Sequence, residues 1–262
     1  MNSPVFQTTL TIDRVPIPAV FSEESRDRIL LPLLRGLTVR QKEAGRRLIV
    51  FLGAAPGAGK SVLLAYLEKL SRETPGLCPV QVLGLDGFHR TNAWLKAHET
   101  DYEGIVYNLR AVKGWPETFR PEDLHEKIVR MKAEKEVLCP VYDRNLHEPV
   151  EDRLLITADI VLIEGMWMLY DQGPWAALQE AADYRILLLA KIPVLRERAT
   201  ARKVRGGMTP EDARHFFDTT DCMAIRRILA HVAAPDLVLE SAEDYRLISY
   251  GDACPDLAPY LP

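Results

Sequence analysis

The chain has 262 residues, of which 47% are hydrophobic and 27% charged, an ordinary globular mixture with enough length to bury a sizeable core. Its formal net charge of −4 gives no general attraction for nucleic acid, and its cysteines (Cys78, Cys139, Cys222, Cys254) are too scattered for a zinc site or a secreted disulfide framework. No apolar stretch is long enough to span a bilayer, and the opening MNSPVFQTTLTID lacks the basic and apolar regions of a signal peptide, so a soluble cytoplasmic protein is expected.

Residues 5–21 carry β-formers in partial alternation (Val5, Phe6, Leu10, Ile12, then Val15, Ile17, Val20, Phe21), and the polar Asp13-Arg14 step between them predicts a hairpin. Ser22 followed by Glu23 and Glu24 reads as a helix N-cap, with a helix to about Leu37 that Pro32 threatens to break. Residues 38–47 are polar and helix-prone. Residues 1–46 are therefore taken as an appendage, and 47–262 as the main domain. From Leu48 the pattern alternates. Strands are predicted at 48–52, 80–85, 160–163, 185–189 and 237–239, and helices at 60–72, 121–135, 192–204 and 209–229. Pro121 and Pro210, each followed by acids, mark two of the helix starts. Strands separated by helices imply an α/β fold, a parallel sheet flanked by helices.

The chemistry begins right after the strand at 48–52, with Ala54-Ala55-Pro56-Gly57-Ala58-Gly59-Lys60-Ser61 running into a helix. A phosphate chain needs inward-pointing backbone N–H groups, and Gly57 and Gly59 let the loop wrap closely enough to supply them. The helix N-terminus adds free donors and the positive end of its dipole. Ala55, Gly57, Ala58, Gly59, Lys60, Ser61 and Val62 are expected to hold ATP, with Lys60 on the β/γ-phosphates and the Ser61 hydroxyl on Mg2+. The first glycine of the usual pattern is Ala54 here, with Gly53 just before it.

Further groups fall where strands end. Asp86, in Leu85-Asp86-Gly87-Phe88-His89, is placed to accept the proton of an attacking hydroxyl or to hold Mg2+. Glu164 closes Ile160–Ile163, and a strand-end carboxylate beside a phosphate loop suits Mg2+. Arg196, Arg198, Arg202, Lys203 and Arg205 recur at helical spacing into Gly206-Gly207, which suits an arginine-bearing lid. Arg198 and Arg202 are the candidates to stabilise the transferring phosphoryl group. Pro140–Pro149 is dense in polar and aromatic groups and reads as a substrate loop after a strand. Tyr142, Arg144 and His147, with His89 and Trp115, are the candidate acceptor contacts.

In this order and spacing the motifs resemble the P-loop kinase family of uridine kinase, type I pantothenate kinase and phosphoribulokinase over residues 48–210. The segment Gly114-Trp-Pro-Glu-Thr-Phe119 resembles bacterial members labelled nucleoside/nucleotide kinase-like or fructose-kinase-like, a subgroup that also carries an N-terminal hairpin-and-helix extension. The resemblance implies that Asp86 is the catalytic base, that Glu164 supports Mg2+ and that the Tyr142/His147 loop meets the acceptor. Arg144 stands where uridine kinases usually carry an aromatic, and Asp218-Thr-Thr-Asp221-Cys222 stands where relatives often show N-D-x-P-N. The expectation is an ATP- and Mg2+-dependent kinase acting on a hydroxyl of a sugar, polyol or sugar phosphate. The alternatives are a nucleoside or pantothenate kinase, or a regulatory ATPase. A small-molecule acceptor is the expected partner, with no nucleic acid and no membrane, and a homodimer is left open.

Overall fold

The computed structural model describes residues 4–12, 15–243 and 246–262. Strands β1 (Val5–Ile12) and β2 (Val15–Ser22) pair antiparallel from Val5↔Ser22 to Ile12↔Val15, as the hairpin reading requires. The Asp13-Arg14 step itself lies outside the described residues. Pro16 and Pro18 remove N–H donors of one parity from β2, which an edge strand tolerates.

The Ser22 hydroxyl caps α1 (Glu23–Ser25) by accepting from the Ser25 N–H at 3.0 Å. A π turn at Arg26–Leu30 follows, and then α2 (Leu31–Ala44), with Pro32 in its first turn. Pro32 does not end the helical course. The wider turn directly before it, closed by the Leu31 N–H on the Arg26 carbonyl oxygen, is where the helix accommodates the proline ring and its missing N–H. The helical course therefore runs past the expected Leu37, to Gly45 in the left-handed conformation.

Strand β3 (Leu48–Ala54) leads through the glycine loop into α3 (Lys60–Glu73). Next come β4 (Val80–Gly84), α4 (Asn92–Lys96), a small hairpin of β5 (Glu99–Tyr102) and β6 (Ile105–Asn108), and α5 (Pro121–Ala133). A second hairpin joins β7 (Val137–Asp143) to β8 (Glu148–Ile156), followed by β9 (Ile160–Gly165) and α6 (Pro174–Gln179). The chain ends through β10 (Tyr184–Leu189), α7 (Ile192–Arg205), α8 (Pro210–Phe216), α9 (Cys222–Ala230), β11 (Leu237–Ser241) and β12 (Leu247–Gly251).

The main sheet has the order β12-β11-β10-β3-β9-β4. All neighbours pair parallel except β11 with β12, so the sheet is the expected parallel one with an antiparallel strand added at that edge. Strand β3 has β9 on one side and β10 on the other: the chain runs from β3 to the edge at β4, returns to β9, then crosses β3 to β10 and continues outward to β12. The crevice at the C-terminal end of β3 is the topological switch point. Both faces are buried. Leu48, Val50 and Leu52 point into one apolar cluster with α3, and Ile49 and Phe51 into another with α5. Period-two alternation inside an unbroken apolar run is what a doubly covered strand needs. Leu10, Phe21, Leu30, Leu34 and Leu37 belong to the first cluster, so the N-terminal segment shares the core of the sheet's α3 face. The helix expected over 209–229 is interrupted by a π turn at Phe217–Asp221, between α8 and α9.

Candidate active site

The loop between β3 and α3 has the geometry of an anion cradle. Gly57 and Gly59 sit at φ +89° and +90°, which L side chains rarely adopt. A Cβ at Gly57 would also come within 2.7 Å of the Leu195 carbonyl oxygen, so the loop is packed against the backbone of α7. Helix α3 begins at Gly59 with no side chain capping it. Its first N–H groups therefore remain available to an anion. Lys60 ion-pairs with Glu164, both largely shielded from solvent.

The register places that carboxylate. Glu164 of β9 lies level with Leu52 of β3 and Gly84 of β4. Two residues beyond Gly84, Asp86 sits in a 3-10 turn at Leu85–Phe88. Gly87 lets this turn press on the β7 strand, because a Cβ there would stand 2.5 Å from the Pro140 carbonyl oxygen. That close approach brings Asp86 to Tyr142 and Arg144. The Arg144 guanidinium is 3.9 Å from the Asp86 carboxylate, and both are substantially exposed. Burial raises the Tyr142 phenol above its ordinary value.

One cavity of about 280 Å³ collects Ser61, Asp86, Glu164, Tyr142 and Arg144. Thr11 and Ile12 of β1 and Glu68 of α3 also line it, and none of these three was singled out from sequence. Thr11 and Ile12 fall in the segment expected as a hairpin, and Glu68 in the helix expected at 60–72. Nothing local marks a side chain that tertiary folding brings to a pocket.

Other expected contacts lie elsewhere. His89 is buried, its ring 3.9 Å from that of Phe119 and its Nδ1 2.9 Å from the Asp86 carbonyl oxygen. Burial lowers its pKa, so the imidazole favours the neutral form and sits behind the Asp86 turn, away from the cavity's lining. Trp115 is a core residue 4% exposed, packed on Tyr107 and near the Arg227 guanidinium, which corrects its reading as an acceptor contact. His147 stands exposed at the β7–β8 tip with φ +53°, and it is its carbonyl oxygen that is engaged, by Asn92 Nδ2 and Lys113 Nζ at 2.9 Å each. Tyr142 belongs to β7, so the expected substrate loop is the end of a hairpin. Lys113, whose Nζ lies 5.1 Å from the Tyr142 ring centre, braces it.

The two lid arginines are separated. Arg198 is pinned by Nη1 to Ser241 Oγ and by Nη2 to the Ala242 carbonyl oxygen, 2.9 Å each, beside Gly59. Arg202, one turn on, is exposed. Helix α7 is tied down near its start through Arg196 to Asp218 at 2.6 Å and near its end through Lys203 to Asp221 at 2.5 Å.

A glycine cradle at the switch point, a lysine entering the following helix and two strand-end carboxylates across from it define the P-loop phosphotransferase class. Within that class, the chain belongs to the Phosphoribulokinase / Uridine kinase family, whose model matches residues 49–206. It is 38% identical over 238 residues to the uncharacterized Escherichia coli (strain K12) protein YggC, covering 90% of this chain and 96% of that one. It is 28% identical over 202 residues to a Schizosaccharomyces pombe protein provisionally named a uridine kinase, covering 74% and 83%. A crystal structure from Silicibacter sp. TM1040, provisionally titled a fructose transport system kinase, superposes with a TM-score of 0.70 at 28% identity, covering 80% of this chain and 98% of that one. Among the described residues no helix is long and apolar enough to cross a membrane.

Proposed function

We propose that this protein transfers the γ-phosphoryl group of ATP to a hydroxyl of a small polyhydroxylated metabolite, a sugar, polyol or sugar phosphate. The observation that carries this is the single cavity in which the Ser61 end of the phosphate loop, the Asp86 and Glu164 carboxylates and the Tyr142–Arg144 strand end converge.

The roles follow from placement. Backbone N–H groups from Ala55 to Val62 hold the phosphates, and Lys60 exchanges Glu164 for the β/γ-phosphates when nucleotide binds. Ser61 and Glu164, with Asp86 at the far side, are the residues that would hold Mg2+, which supplies charge neutralisation across the phosphates. Asp86 accepts the proton of the acceptor hydroxyl. The acceptor oxygen bonds to the γ-phosphorus, the bond from that phosphorus to the β–γ bridging oxygen breaks, and its electron pair leaves on ADP. Arg202 is the lid arginine that would meet the transferring group, while Arg198 flanks the nucleotide. Residues 1–46 act as an appendage on the kinase domain at 47–262.

Arg144 is the acceptor-reading residue. A guanidinium at the mouth of the cavity reads a carboxylate or phosphate on two oxygens at once, or two vicinal hydroxyls. The Silicibacter structure's provisional title, a fructose transport system kinase, supports a sugar, whereas the name of the Schizosaccharomyces pombe relative supports a nucleoside. The test is MgATP consumption with fructose, ribose, glycerol, their monophosphates, uridine, cytidine and pantothenate side by side. Strong stimulation by a sugar, polyol or sugar phosphate is the expected result. Stimulation by uridine, cytidine or pantothenate alone would replace it with the corresponding kinase, and acceptor-independent hydrolysis would favour a regulatory ATPase.

A further inference from the structure

A second cavity, of about 350 Å³, opens on the opposite side of the phosphate loop. Gly59 and Val62 form its floor and Arg198 and Ser241 one wall. The facing wall is strand β2, residues 18–21. Strand β2 and Ser241 both lie outside the 49–206 segment that the family model matches.

The direction of a bound nucleotide follows from the two cavities. Ser61, Asp86 and Glu164 lie on the first, so the γ end of a triphosphate on the loop points there. The nucleoside end then leaves on the other side, over Gly59 and into the second cavity. That cavity suits a flat heterocycle. Two hydrogen bonds, to Ser241 Oγ and the Ala242 carbonyl oxygen, hold the Arg198 guanidinium in a fixed orientation. A planar cation held this way offers its face for stacking. Pro18 and Val20 give the same cavity apolar surface, and Arg246 is a second cation on its lining.

The β2 wall is firmly seated. Phe21 stacks on Tyr66 of α3 with ring centres 4.1 Å apart. The Ser25 hydroxyl, just past β2, accepts from the Leu247 N–H at 2.8 Å and lies 2.7 Å from the Ser22 hydroxyl. The hairpin's end and the chain returning from Ser241 are therefore clasped to one another around the cavity.

We propose that β2 is a built part of the nucleotide site, with residues 18–21 forming the wall against which the base of ATP packs, across from Arg198. This rests on the phosphate-loop reading above. It makes the N-terminal hairpin a binding element that senses whether a base is present.

Hydrogen exchange of the intact protein with MgATP and with magnesium tripolyphosphate separates the two ideas. Tripolyphosphate should slow exchange over 54–64 only, whereas MgATP should also slow it over 15–22. Two variants add affinities. Val20→Ser, at a half-buried position, should weaken MgATP binding about fivefold, and Ala19→Phe, which intrudes on the cavity, about tenfold or more. Both should hold tripolyphosphate within about twofold of wild type. MgATP protecting 54–64 without 15–22, or Val20→Ser losing both ligands equally or neither, would overturn the role of β2 and leave the phosphate loop standing. Protection of 54–64 by neither ligand would overturn both.

Discussion

At the scale of single residues, Asp86 carries the sharpest test. Its carboxylate is exposed at the cavity with the Arg144 guanidinium 3.9 Å away, while its carbonyl oxygen anchors His89. Asp86→Asn keeps the shape and the backbone bond. On an acceptor found by the panel it should keep MgATP affinity within about threefold and lower kcat by roughly 10²–10⁴. Wild-type turnover would reassign Asp86 to structure. His89 makes the opposite prediction, one of stability. Burial lowers its folded pKa below the unfolded value of about 6.5, so between those values the unfolded chain binds more protons. Its contribution is therefore complete above about pH 6.5 and is lost as pH falls through the folded value. Between about pH 7.5 and 5.5 the wild-type Tm should fall further than that of His89→Gln. Parallel melting curves would place His89 in a solvated setting.

At the scale of elements, legibility in the sequence followed locality. Every strand of the sheet's parallel core and the helices at 60–73 and 121–133 were readable within a few residues, because an apolar run or stripe bounded by caps is local information. The β5–β6 hairpin, the return strand β8 and β12 were not: Glu99–Tyr102 is polar, and the antiparallel partner that makes it a strand is no property of its own residues. Candidate residues behaved alike. The phosphate-loop residues and the strand-end Asp86 and Glu164 are positioned by their own strands, whereas His89 and Trp115 looked like pocket groups because ring chemistry serves a core equally well. The α7–α9 arm adds a physical prediction. Lys203 and Asp221 are 12% and 9% exposed, and burial holds the Asp221 carboxyl above its ordinary range even with Lys203 beside it. Lys203→Met should destabilise by about 3–5 kcal/mol in urea titration, since it strands a buried carboxylate, and adding Asp221→Leu should recover most of the loss. If the single change cost no more than an exposed pair does, the arm would be far wetter than its packing implies.

At the scale of the whole molecule, nucleotide binding and folding are linked through shared parts. The phosphate loop touches α7 at Gly57, α7 reaches the end of β11 through Arg198, and the N-terminal segment contributes to the same apolar cluster as β3 and α3. A ligand on the loop therefore stabilises a surface that all these elements share, and the melting transition should move as one. Binding adds RT ln(1 + [L]/Kd), about 2.7 kcal/mol at a hundredfold excess over Kd, which for a chain of this length is a rise in Tm of about 5–8 °C. Magnesium with ATP should give that shift in a single calorimetric peak. Lys60→Ala should abolish it while leaving the ligand-free Tm within a few degrees, because the Lys60–Glu164 pair retains solvent access and its loss leaves no fully buried charge. An equal shift in Lys60→Ala would remove the lysine from the phosphate site. Two peaks, with only one responding to MgATP, would mean that the N-terminal segment melts on its own despite the buried side chains it shares with α3.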